Sequence, residues 1–334
     1  MKFFQTTMLV VILLAVLGGT RAHAASGAPM EQESIRTLFD QVMRVMEAMH
    51  APLGFSGAEL DSLLAPAETL TDAKTGKPFL TQHGHPMIYY VIEPQGACPV
   101  DIKRTVLFIG GIHPDEISPM YTSFHALYEL ITNPYSRPDN TRVVYIPLTN
   151  PEGLIESEKK TKHTTRENFR GVDLNRGFEE TPAQTEPEVA FVKALIAKFN
   201  PSHIVTLHAP YGWLDYDGPA KLPTASAGVK REIQNWEESV AAAGTNPLPI
   251  ESDFGAYHGS MGNYGGYKLH KHVLTIEFPS VDGKKGAEEF DDYGPAVFQA
   301  LNPPMQESEV AAPAPAPAPA PSDSLHMRAP LPKR

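Results

Sequence analysis

Thr105-Val106-Leu107-Phe108-Ile109-Gly110-Gly111-Ile112-His113-Pro114-Asp115-Glu116 is the stretch that decides the fold. A β-rich run ends in two glycines, and an imidazole and a carboxylate three positions apart follow at once. Both groups therefore belong to a loop at the carboxyl end of a strand. By itself the motif says little, because 13 His and many acids make one such match ordinary. Three further β-rich runs, at residues 143–146, 204–207 and 273–276, give it weight. Between the runs lie helical patterns at 119–131, at 187–199 and at 229–243, the last closed by Gly244. Thr185 and Glu188 are spaced as a capping box for the second, with Pro187 near its start. Strands alternating with helices predict an α/β fold: a mostly parallel or mixed central sheet covered by helices on both faces.

In such a sheet, ligands and reacting groups gather outside the carboxyl ends of the strands. His208 ends the run at 204–207 and Glu277 ends the run at 273–276. Three strands thus deliver His113 with Glu116, His208 and Glu277 to one edge. Two imidazoles and a carboxylate are a ligand set of catalytic zinc, with the fourth position open to water. A carboxylate outside the ligand set is what such a site needs to take the water's proton, and Glu277 suits that role. Arg166, Arg170 and Arg176 flank Asn168, Asp173 and Asn175 in one short segment. One such cation can meet a developing oxyanion and another can clamp a carboxylate, although a solvated turn capped by Asp173 reads from the same residues.

Composition narrows the class. The chain has 334 residues, 28 basic against 39 acidic, and a net charge of −11, which disfavours nucleic acid as a partner. The single cysteine, Cys98, excludes a disulfide scaffold and a thiolate zinc cluster, so any metal is held by His and carboxylate. Residues 1–24 read as a secretory signal peptide: Lys2, an apolar run at 8–17, and Ala22-His23-Ala24 as the cleavage site. Ten apolar residues fall short of the ~20 that span a bilayer, so the expectation is an exported, periplasmic or secreted protein with no stable membrane insertion. A helical extension is expected at 25–79, a catalytic domain at 80–302, and an unstructured tail at 303–334, where nine of the 32 Pro lie. Oligomeric state is not legible.

Gly110-Gly111-Ile112-His113-Pro114-Asp115-Glu116, Asn150-Pro151-Glu152-Gly153, Gly171-Val172-Asp173-Leu174-Asn175-Arg176, Thr206-Leu207-His208 and Thr275-Ile276-Glu277-Phe278 resemble, in order, the signatures of the zinc carboxypeptidase family. The resemblance spans roughly residues 80 to 300. It implies one zinc held by His113, Glu116 and His208, with Glu277 as general base and then general acid. It also implies Arg166 at the scissile carbonyl and Asn175 with Arg176 on a substrate carboxylate. Gly259-Ser260-Met261-Gly262, the ending Glu277-Phe278-Pro279 and the segment Asp215-Tyr216-Asp217-Gly218-Pro219-Ala220 look most like murein peptide amidases. Those cut the γ-D-glutamyl bond to meso-diaminopimelate, which makes a peptidoglycan peptide the expected substrate. Asp215 and Asp217 would then meet the amino group of the diamino acid, with solvated turn acids as the plainer reading. Among Phe254, Tyr257 and Tyr264, Tyr257 is the expected substrate-binding tyrosine. A carboxypeptidase releasing a C-terminal residue, a deacylase like the aspartoacylase and desuccinylase group, and an inactive peptidoglycan-binding module are the rival readings.

Overall fold

In chain order the strands of the computed structural model are β1 (Glu68–Thr69), β2 (Ile88–Ile92), β3 (Arg104–Ile109), β4 (Thr141–Ile146), β5 (His203–His208), β6 (Trp213–Asp217), β7 (Ile250–Glu251) and β8 (His272–Glu277). The helices are α1 (Pro29–Ala48), α2 (Gly57–Leu64), α3 (Ile117–Thr132), α4 (Pro151–Thr161), α5 (Pro187–Phe199), α6 (Ala227–Ala243) and α7 (Gly286–Ala300). The structure describes residues 29–73, 75–94, 102, 104–161, 164–251 and 257–303. The leader at 1–24, Cys98, Phe254 and the tail beyond residue 303 lie outside them. Among the described residues no helix is long and apolar enough to cross a membrane.

The strands form one sheet in the order β1-β2-β4-β3-β5-β8-β6-β7. Its centre, β4-β3-β5-β8, is parallel, while β2 pairs antiparallel with β4, and β6 antiparallel with β8. The sheet is therefore mixed, with the parallel part where crossover helices cover both faces. Alternation along each strand splits the core in two. Val106, Phe108, Val205, Leu207, Leu274 and Ile276 face α1, α3, α6 and α7, whereas Leu107, Ile109, Ile204 and Val273 face α5. Burial on both sides is why these strands read as unbroken apolar runs. The apolar stripe of α1, Ile35, Leu38, Phe39, Val42, Val45 and Met46, joins the first of these clusters.

The capping box expected at 185–188 does not form. The N-cap of α5 is Glu186 and makes no side-chain cap bond, while Thr185 turns back to the Thr181 carbonyl at 2.9 Å. Glu188 is buried instead of reaching back to the cap. Pro187 does open the helix, where its missing N–H leaves nothing unsatisfied.

α3 and α7 are bridged by a hydrogen bond from Ser118 to Glu289, whose side chain is buried. Burial pushes the Glu289 carboxyl up to about 7. Because the folded value lies above the unfolded one, this group's contribution is complete below pH ~4.5 and is lost as pH rises through about 7. Glu289→Gln imitates the protonated form. The variant should match wild type in urea midpoint near pH 5 and exceed it near pH 8, and an equal gap at both pH values would contradict this assignment.

Candidate metal centre and substrate pocket

The loop after β3 is held in place before any ligand is considered. Gly111 has φ +56°, and a Cβ there would press on Leu148. Asn150 donates its backbone N–H to the Gly111 carbonyl at 3.0 Å and its side-chain amide to the Ile112 carbonyl at 3.3 Å. Its Oδ1 accepts from Gly153 at 2.9 Å, in space that a side chain at 153 would fill. The Asn150-Pro151-Glu152-Gly153 motif is thus a staple between the ends of β3 and β4.

That loop carries His113 and Glu116, and the end of β5 carries His208; all three are buried. One donor atom from each lies within 4.8 Å of the others. His113 Nδ1 is 2.7 Å from Glu116 Oε1 and 3.0 Å from His208 Nδ1, which in turn is 3.1 Å from Glu116 Oε2. Burial alone would raise the Glu116 carboxyl, but the facing imidazoles bring it down to about 2, so it is an anion at neutral pH. Two imidazole nitrogens and a carboxylate turned to one point, with no apolar group between them, fit a borderline divalent metal. The far nitrogen of His113, Nε2, meets Asp173 Oδ1 at 3.2 Å, the carboxylate–histidine arrangement that orients a ligand ring.

Asp173 also binds Arg166, with Nε to Oδ2 at 3.0 Å, and Arg166 reaches Glu116 Oε1 at 3.2 Å. Burial would raise Asp173, but His113 and Arg166 hold it well below the usual carboxylate range. The reading of Asp173 as a turn cap is half of its role: it accepts from the Asn175 N–H at 2.9 Å and ties the turn to the metal site. Asn175 Oδ1 is engaged by the Met261 N–H at 2.9 Å, leaving its Nδ2 3.5 Å from His208 Nε2. Arg176 is at the rim, its guanidinium 4.7 Å from the centre of the half-exposed Tyr257 ring. Phe254 is outside the described residues, and the Tyr264 ring stacks on Phe178 at 6.0 Å. Of the two described candidates, Tyr257 lines the pocket and Tyr264 does not.

The pocket itself has a volume of about 400 Å³ and is bordered by Glu116, His208, Glu277, Arg166, Asn175 and Arg176. Tyr257, Asp215 and Asp217 border it as well, and His113 adjoins it through Glu116 and His208. Glu277 is 7% exposed, its Oε2 has no hydrogen-bond partner among the described residues, and burial raises its carboxyl. Asp215 and Asp217 are not solvated turn acids: both are buried on β6 and border the same pocket. Lys221 satisfies Asp215 at 3.2 Å. Asp217 Oδ1 is without a partner among the described residues, and burial together with Asp215 pushes this carboxyl up to about 6. A π-helix at Gly262–Lys268 makes room for it, because a Cβ on Gly262 would overlap the Asp217 carboxylate. Tyr216, between the two acids, points to the other face and bonds His272 Nδ1 at 2.7 Å. Sequence reasoning missed the tie from Asp173 to His113 and the glycine cradle around Asp217; the Gly265-Gly266 pair before β8 was the one signal of the latter.

A mixed, helix-covered sheet that gathers a His-Glu-His donor set and a separate buried carboxylate at its strand ends defines a class, the metal-dependent hydrolases. Residues 81–207 match the family model described as zinc carboxypeptidase, and zinc is the metal that the His113, Glu116 and His208 donors fit. No curated protein matches the sequence. Solved structures with a similar fold include a metallo-carboxypeptidase from Burkholderia cenocepacia, at 17% identity over 74% of this chain and 68% of that one, TM-score 0.52. Bovine thrombin-activatable fibrinolysis inhibitor is similar at 14% identity over 73% and 92%, TM-score 0.55. A murein-tripeptide amidase from Escherichia coli O157 aligns at 21% identity over 70% and 91%, TM-score 0.45. The two scores above 0.5 establish the carboxypeptidase fold.

Proposed function

We propose that this protein is an exported zinc amidase that hydrolyses the γ-D-glutamyl–diaminopimelate bond of peptidoglycan peptides. One observation carries the reading: beside the His113, Glu116 and His208 donors, a single pocket is bordered by groups of both signs, the cations of Arg166 and Arg176 and the buried carboxylate of Asp217. That polarity suits a residue bearing both a carboxylate and a free ammonium, which is what a diamino acid next to the scissile bond presents. Export rests on the leader-like residues 1–24.

His113, Glu116 and His208 hold the zinc, which when bound supplies a Lewis acid for the carbonyl and for water. Glu277 accepts a proton from the attacking water as the water's oxygen bonds to the carbonyl carbon. The carbon–nitrogen bond then breaks, and Glu277 hands the proton to the leaving nitrogen. Arg166 faces the oxygen on which negative charge develops. Asn175 and Arg176 take the carboxylate on the leaving side, and Asp217 takes its ammonium.

Mass spectrometry of diaminopimelate-containing muropeptides incubated with the zinc-loaded mature protein tests the proposal. The expected products are diaminopimelate or a diaminopimelyl peptide, and acetylating the free amino group of that residue should abolish their release. Release of terminal D-alanine alone would make the protein a carboxypeptidase. Preference for N-acyl amino acids would make it a deacylase, and binding without any cleavage would make it a binding module.

A further inference from the structure

Arg166 and Asp173 reach the metal centre from a segment, residues 164–173, that belongs to neither a helix nor a strand. Something rigid must set its position, and the hydrogen bonds trace it away from the pocket to the start of α5. Asn168, two residues beyond Arg166, is buried and fully engaged. Its N–H donates to the Val172 carbonyl at 2.9 Å, and its Oδ1 accepts from the N–H groups of Arg170 at 3.0 Å and Val172 at 3.1 Å. This knits 168–172 into one turn around Gly171, whose φ is +76°. The remaining group of the side chain, Nδ2, donates to Glu186 Oε2 at 2.9 Å, and Arg170 meets Glu186 Oε1 at 3.3 Å.

Glu186 is 3% exposed and stands at the head of a helix that is anchored by Val189, Val192 and Leu195 in the core. It does not cap that helix, a task for which Ser or Thr suffices. Its surroundings are unfavourable for another acid, since Glu188, 2% exposed, is close enough for the two carboxylates to repel. Burying a carboxylate costs several kcal/mol unless it is well partnered. The cost is offset here by the bonds to the turn.

We propose that Glu186, acting through Asn168, is a positioning residue that holds the 166–173 segment so that Arg166 faces the pocket and Asp173 faces His113. A shift of the order of 1 Å in such a group can lower a rate by about a hundredfold, and loss of the partner that orients a ligand histidine weakens metal binding by about 10–100-fold.

Glu186→Ala and Asn168→Ala, tested in the full-length zinc-loaded protein, should raise hydrogen exchange in the peptide covering 166–173 while α5 stays protected. Zinc affinity, measured by competition with a chelating dye, should fall roughly tenfold. Neither measurement needs a substrate, so both still decide the matter if the muropeptide reading fails. The kinetic arm rests on that reading: with the muropeptide, kcat should fall about tenfold or more at unchanged KM. Adding Glu186→Ala to Arg166→Ala should cost clearly less than it costs in the wild type, and Glu186→Gln, which keeps an acceptor oxygen, should recover most of the rate. Unchanged exchange in 166–173, unchanged zinc affinity, or an equal rate loss in the Arg166→Ala background would each overturn the proposal. So would loss of protection in α5, which would mark Glu186 as a residue of helix stability.

Discussion

Glu277→Gln should keep its zinc and its fold while losing turnover by a factor on the order of 10²–10⁴, the usual weight of a positioned acid–base group. The carboxylate is outside the converging His113, Glu116 and His208 donors, so metal content is expected to stay at wild-type level. It closes β8 opposite His208 of β5 and Trp213 of β6, so the backbone that holds it is fixed by ladders on both sides. The side chain is 7% exposed, and burial raises its carboxyl, which makes it a better proton acceptor once it is ionised. Gln has the same shape and carries no charge, so folding stability should be equal or slightly higher. It cannot accept the proton. A variant that retained a tenth or more of the wild-type rate would remove Glu277 from the role of base.

What was legible beforehand follows a physical rule. His113, Glu116, His208 and Glu277 stand at the ends of strands whose β-branched residues are buried on both faces, so local pattern and global position coincide. Fold and metal site could therefore be read together. β6 could not: Asp215 and Asp217 are poor strand formers, and alternating with Trp213, Leu214 and Tyr216 they look like an aromatic turn. The strand exists because β8 supplies its ladder and because the two carboxylates find Lys221 and the glycine cradle. α7 was equally hidden, since Gly294 and Pro295 lie inside it and ordinarily break a helix. The failed capping box at 185–188 has the same origin, a local signal overridden by a tertiary partner. Glu186 belongs to Asn168, eighteen positions earlier in the chain, and no periodicity reports a contact of that kind.

His208→Ala should take the zinc content from about one ion per chain to near zero after dialysis against micromolar zinc. The reason is the donor count. With three protein donors a tetrahedral ion keeps one open position, whereas His113 and Glu116 alone leave two and hold the metal far more weakly. Folding should register the loss as well, since an ion that binds only the native protein stabilises it by RT ln(1 + [L]/Kd), about 2.7 kcal/mol at a hundredfold excess over Kd. Wild type should therefore unfold at a lower temperature when a chelator strips the metal and recover when zinc returns. The melting temperature of His208→Ala should not respond to either treatment. Elemental analysis paired with thermal unfolding separates the alternatives: stoichiometric zinc in the variant would put the metal elsewhere, and a wild type whose melting temperature ignores both chelator and added zinc would show that these three donors do not bind zinc in the native state.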